Sequence, residues 1–113
     1  MVGIDREGET IVTPGGKESP KAEVAEAHVI VSGRVQGVWF RGNTQRAASA
    51  AGVHGWVRNL PDRRVEAVLQ GERTAVQSVI DFMRTGPPGA SVTDCVVSWR
   101  PAGERNHGFD IRY

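Results

Sequence analysis

The sequence predicts an α+β fold of the ferredoxin-like, split βαβ kind: β-α-β-β-α-β plus a C-terminal strand, giving one mixed five-stranded sheet with two helices on one face. Three observations lead there. Apolar residues alternate with period two in five short stretches, two intervening stretches repeat them at helical spacing, and glycine or proline marks most of the junctions.

Residues 1 to about 25, MVGIDREGETIVTPGGKESPKAEVA, are rich in Gly, Pro, Glu and Lys and have only Ile11-Val12 to bury. They read as a flexible extension, with a short edge strand over Ile11 to Thr13 as the alternative. The division expected is an extension over 1–27 and a folded domain over 28–113. His28 to Val35 opens that domain as a strand, with Val29, Val31, Gly33 and Val35 on one side and Ile30 on the other. Phe40, Thr44, Ala47, Ala48 and Ala51 then share one face of a helix that Gly52 can close.

Val53 to Leu60 is a second strand, with Val53, Gly55, Val57 and Asn59 on one face and Trp56 and Leu60 on the other. Pro61-Asp62-Arg63-Arg64 turns the chain into a third strand, Val65 to Gln70, which Gly71 is expected to end. Val76, Val79, Ile80 and Met83 form the stripe of a second helix, stopped by Gly86-Pro87-Pro88-Gly89. Val92 to Trp99 and the alternating Phe109, Ile111 and Tyr113 complete the sheet. Trp56, Phe82, Trp99 and Phe109 are assigned to the core.

At 113 residues, 24% charged and 39% hydrophobic, the chain suits a single soluble domain. No apolar run approaches a membrane span or a signal peptide, so a cytoplasmic setting is expected. Cys95 is the only cysteine; it lies in an apolar run and reads as a small buried hydrophobe, with no redox role. Residues 28–113 carry 11 basic side chains, all arginine, against 7 acidic ones. Arginine favours planar, bidentate recognition of carboxylate or phosphate. The excess is too small, and aromatics too sparse among the basic residues, for nucleic-acid binding.

The stretch that carries chemistry is Gly33 to Arg41, GRVQGVWFR, joining a strand end to a helix start. The first N–H groups of a helix lack intrahelical partners and sit at the positive end of the macrodipole, so a loop arriving there with Gly37 inside can present several donors to one anion. An ordinary strand-to-helix turn would use the same residues. Arg41, however, is unfavourable in a first helical turn, and Gly42 beside it lowers helix propensity by about 1 kcal/mol relative to alanine. An anion there would compensate for both. Topology also brings the end of the second strand to the same sheet edge, which places Asn59 near Arg41; a turn-side hydrogen bond ahead of Pro61 is its other use.

Other chemistries find no support in the pattern. His28, His54 and His107 stand at no metal-ligand spacing, the loop is neither a Walker A nor a GxGxxG sequence, and no serine has a nucleophile's context. No metal and no nucleotide cofactor are therefore expected.

Gly33-Arg34-Val35-Gln36-Gly37-Val38-Trp39-Phe40-Arg41, followed by Gly55-Trp56-Val57-Arg58-Asn59 and Val65-Glu66-Ala67-Val68, resembles the acylphosphatase family. The likeness continues through Gly86-Pro87-Pro88 to Phe109-Asp110-Ile111-Arg112-Tyr113 and covers residues 28 to 113. It implies a small, metal-free, monomeric hydrolase without cofactors that cuts the carboxyl-phosphate bond of acyl phosphates, with inorganic phosphate as product and inhibitor and with neither nucleic acid nor membrane as partner. By motif position, backbone N–H groups of Gln36, Gly37, Val38, Trp39, Phe40 and Arg41 would hold the phosphate. The Arg41 side chain would bind it, and Asn59 would orient the attacking water. A non-enzymatic phosphate-binding or regulatory module on the same fold is the alternative. An RNA binder of the same topology is disfavoured, because the third strand, VEAVLQ, lacks an aromatic run. The family usually has Asp-Gly where this chain has Asp62-Arg63. A left-handed Arg63 would cost roughly 1 to 2 kcal/mol, so a different turn geometry is expected.

Overall fold

The computed structural model describes residues 24–113. Residues 1–23 of the expected 1–27 extension, with the alternative strand at Ile11 to Thr13, lie outside the described residues. The elements are β1 (Val24–Arg34), α1 (Phe40–Ala51), β2 (His54–Asn59), β3 (Val65–Glu72), α2 (Arg73–Thr85), β4 (Ser91–Pro101) and β5 (Phe109–Arg112). They form one five-stranded sheet in the order β4-β1-β3-β2-β5. β3 is antiparallel to both β1 and β2, so those two run parallel to each other across it, while β5 is parallel to β2. This is the mixed sheet with two helices that the element order predicts.

Alternation along the strands sends Ala27, Val29 and Val31 of β1, Val57 of β2, and Val65, Ala67 and Leu69 of β3 to one buried face. Onto it pack Phe40 and Ala48 of α1 and Val76, Val79, Ile80 and Met83 of α2, all within one core cluster. Each stripe residue predicted for α2 is buried. The Phe40 and Phe82 rings meet at 6.3 Å between the two helices. Because both helices cover the same face, the opposite face of the sheet stays open.

That open face accounts for the main differences from the sequence reading. Trp56 is not in the core: it stands on the open face between the Arg58 and Arg112 guanidiniums, 5.4 and 4.5 Å from its ring. Alternation alone does not say which side of a sheet the helices will cover. Trp99 and Phe82 are half-buried against the core, and Phe109 is buried. Cys95 is half-buried on edge strand β4, where burial pushes its thiol above the ordinary value.

Three strands are longer than expected, β4 running over Ser91–Pro101 where Val92 to Trp99 was expected. Residues 24 to 27, assigned to the extension from their composition, form the start of β1, and Gly71 and Glu72 continue β3 because Ala25 and Val24 pair with them. Within this added stretch the Glu26 carboxylate is buried but fully served. Oε1 accepts from Gln70 Nε2 at 2.7 Å and from the Gly103 N–H at 3.1 Å, and Oε2 accepts from Arg100. Conversely, Tyr113 lies beyond β5 and is exposed.

The turn between β2 and β3 is a correction. Arg63 does adopt the left-handed region, with φ 77°. Leu60 accepts from the Arg63 N–H at 3.1 Å and donates to the Arg64 carbonyl at 2.8 Å. Pro61-Asp62-Arg63 is thus a three-residue hairpin loop whose last position wants positive φ. The geometry is kept without glycine because Pro61 favours the first turn position and the Asp62 carboxylate accepts from Arg64, at 3.3 Å from its N–H and 2.7 Å from Nε. Pairing around the loop outweighs the local strain.

Candidate active site

β1 ends in an irregularity that aims the chain at the site. Its register with β4 shifts between Ser32 and Gly33. Gly33 has φ 117°, and a Cβ there would fall 2.1 Å from the Ser91 carbonyl oxygen, so only glycine lets the two strands approach at this bulge. The chain then runs through Val35 to Val38 and enters α1 at Trp39, which caps the helix from a left-handed conformation, φ 60° and ψ 28°.

α1 has 12 residues, no side-chain hydrogen bond at its N-cap and no acidic residue in its first turn. Its leading N–H groups are therefore neither capped by a side chain nor neutralised by a local carboxylate. The Trp39 carbonyl instead accepts from the Asn43 N–H and from Asn43 Nδ2, each at 2.9 Å, which closes the first turn.

A cleft of about 360 Å³ opens over this helix start, lined by Val35, Gln36, Gly37, Trp39, Phe40, Arg41, Gly42, Asn59, Ile111 and Tyr113. The structure brings together Arg41 and Asn59, as the topology required, with Gln36, Gly37, Trp39 and Phe40 around them. Val38 is the exception among the expected loop residues: its side chain packs against the core and does not line the cleft. Arg41 is the one charged side chain lining the cleft among the described residues, and no acidic side chain lines it.

Asn59 ends β2, and its Oδ1 is buried with no hydrogen-bond partner. A buried carbonyl oxygen left unpaired costs roughly 1 to 3 kcal/mol and calls for an explanation; Thr44 Oγ1 in α1 is likewise buried and unpartnered, but only Asn59 also lines the cleft. Among the described residues, Oδ1 makes no hydrogen bond to the turn ahead of Pro61, its alternative use. Arg41 is held from two sides, donating from Nη1 to the Arg112 carbonyl at 3.0 Å and lying 4.7 Å over the Tyr113 ring.

Three groups at the site were not legible beforehand. The Gln36 side chain donates from Nε2 to the Leu60 and Arg64 carbonyls, both at 3.0 Å, and so ties the loop to the β2–β3 turn. The Arg112 carbonyl and the Tyr113 ring come from β5 and the residue after it; nothing in their local sequence signals contact with Arg41. Among the described residues, no three His, Cys, Asp or Glu side chains converge as a metal site would require.

The Acylphosphatase family model matches residues 27–111, most of the chain. The chain belongs to the acylphosphatase family. An acylphosphatase of Haloquadratum walsbyi is 55% identical over 86 residues, covering 76% of this chain and 91% of that protein. One from Nostoc sp. is 47% identical over 95 residues, covering 83% and 92%. The crystal structure of acylphosphatase from Bacillus subtilis superposes with a TM-score of 0.76 at 39% identity, covering 79% of this chain and 99% of that one. No helix among the described residues is long and apolar enough to cross a membrane.

Proposed function

We propose that this chain hydrolyses acyl phosphates to carboxylate and inorganic phosphate, at the cleft over the start of α1. The observation that carries the reading is the unpartnered, buried Oδ1 of Asn59 in the same cleft as Arg41 and the loop. An anion-binding module needs the loop and the arginine. It has no use for a buried acceptor, whereas a hydrolase needs one to accept a proton from water and so aim its lone pair.

The phosphoryl group would sit on backbone N–H groups of Gln36, Gly37, Val38, Trp39, Phe40 and Arg41, with the Arg41 guanidinium on two of its oxygens. Asn59 places water in line behind phosphorus. As the bond from phosphorus to the carboxyl oxygen breaks, its electron pair leaves with the carboxylate, and the water oxygen bonds to phosphorus. The leaving group is already a stable anion and needs no strong general acid. The water's proton passes to a phosphoryl oxygen, since no side chain of the cleft is a general base. Charge on the equatorial oxygens is met by preorganised dipoles and Arg41, which supply the positive field without a metal.

Every group used comes from one chain, so the proposed reaction needs no residue from a second copy, and we propose a monomeric enzyme of the cytoplasm. The test is hydrolysis of acetyl phosphate with a divalent-metal chelator in excess, followed at several concentrations of inorganic phosphate. Turnover that persists and is inhibited competitively by phosphate is expected. Loss of turnover that a divalent metal restores, or no turnover by the folded protein, contradicts it.

A further inference from the structure

Two large aromatic side chains stand at the mouth of the cleft, and neither is needed to hold a phosphate. Trp39 is 74% exposed and Tyr113 98% exposed. Trp39 is also held in the left-handed region, a conformation that bulky side chains avoid and that is retained where the surroundings enforce it. Its ring lies against the first turn of α1: a Cβ on Gly42 would stand 2.8 Å from Trp39 Cε3. The glycine that weakens the helix start therefore makes room for this ring. Tyr113 has one face over Arg41 and the other open to solvent.

The cleft is larger than a phosphate requires. It is an open cleft of about 360 Å³ whose lining runs beyond the loop and Arg41 to Ile111 and Tyr113, so a phosphoryl group on the loop leaves part of it free. The proposed reaction says where the rest of the substrate goes. Asn59 Oδ1 is buried, so the attacking water sits at the floor, and in-line displacement sends the leaving carboxylate the opposite way, to the open mouth. The side chains waiting there are Trp39 and Tyr113.

We infer that Trp39 and Tyr113 form the acyl-group subsite of this cleft, and that they favour acyl phosphates whose acyl group is flat and apolar over those with a small aliphatic one. Two rings with exposed faces offer stacking and apolar contact to a planar group and little to a methyl. The inference rests on the hydrolase reading above and adds the class of substrate to it.

The test compares kcat/KM for benzoyl phosphate and acetyl phosphate in the full-length chain and in Trp39→Ala, Trp39→Phe, Tyr113→Ala and Gly42→Ala, with folding checked by circular dichroism. The expected result is a benzoyl-to-acetyl ratio that falls about tenfold in Trp39→Ala and several-fold in Tyr113→Ala, and stays within about threefold of the parent in Trp39→Phe. Gly42→Ala, which displaces the ring without removing it, should also lower the ratio. A ratio unmoved in all four variants overturns the inference while leaving hydrolysis at this cleft intact. A loss shared equally by both substrates overturns it too, because Trp39 would then act through the loop's N–H groups alone. A folded parent that turns over neither substrate removes both the inference and the reading beneath it.

Discussion

Arg41 Nη1 donates to the main-chain carbonyl of Arg112 at 3.0 Å. The charge at the start of α1 is thereby steadied by edge strand β5, whose Arg112 side chain is itself stacked on Trp56 of β2 at 4.5 Å. One N–H of a planar fork is spent on the scaffold, and in the proposed reaction the rest of the fork serves the phosphoryl group.

Arg41→Lys keeps the charge and loses that division of labour. A lysine has no fixed fork, so it can neither hold the Arg112 carbonyl and two phosphoryl oxygens together nor lie flat on Tyr113. In steady-state kinetics with acetyl phosphate, kcat/KM should fall on the order of 100-fold or more while the protein remains folded. A value within about threefold of the parent would make Arg41 a surface residue.

Arg63→Gly should stabilise the protein. Glycine removes the roughly 1 to 2 kcal/mol cost of a left-handed L-residue at φ 77°, and gives back about 0.4 to 1 kcal/mol through a more flexible unfolded chain. A net gain of about 0.5 to 1 kcal/mol is expected, seen as a rise of a few degrees in Tm with kcat/KM unchanged. A lower Tm would show that the Arg63 side chain contributes more than its backbone costs.

Glu26→Gln should destabilise the protein in a pH-dependent way. Burial alone would push this carboxyl up, but donors from Gln70, Gly103 and Arg100 together outweigh it and hold the group below its ordinary value. A depressed folded-state pKa contributes stability that is complete above the unfolded value of about 4.3 and is lost as pH falls through the folded one. In urea unfolding, the variant should be less stable than the parent by about 1.5 to 3 kcal/mol at pH 7, a gap that narrows toward pH 3. A gap of constant size would mean that packing, not charge, sets it.

Periodicity and punctuation carried most of this fold. The stripe of α2, the alternation of β1 to β3 and the closing Gly52 each repeat a local rule, and topology then brought Asn59 to Arg41 without any contact having to be guessed. What stayed hidden depended on three-dimensional partners. Residues 24 to 27 look like extension until β3 and β4 are seen to pair with them, and Trp56 looks like core until the helices are seen to cover the other face. Arg63 was misjudged because the strain of one residue was weighed without the Asp62–Arg64 pairing that outweighs it. At the site, the backbone loop was legible from its glycine and its place before a helix. The Gln36 side chain, the Arg112 carbonyl and the aromatic mouth were not, since each acts across the sheet edge on something distant in sequence.

The division of roles between Asn59 and the loop is tested most directly by Asn59→Ala, measured for acetyl phosphate turnover and for the inhibition constant of inorganic phosphate in the same folded preparation. Asn59 is assigned to the water alone, so its loss should lower kcat and kcat/KM together, on the order of 10² to 10³, with phosphate inhibition within about threefold of the parent. Turnover near the parent rate, or a loss of phosphate affinity as large as the loss of rate, would contradict the assignment.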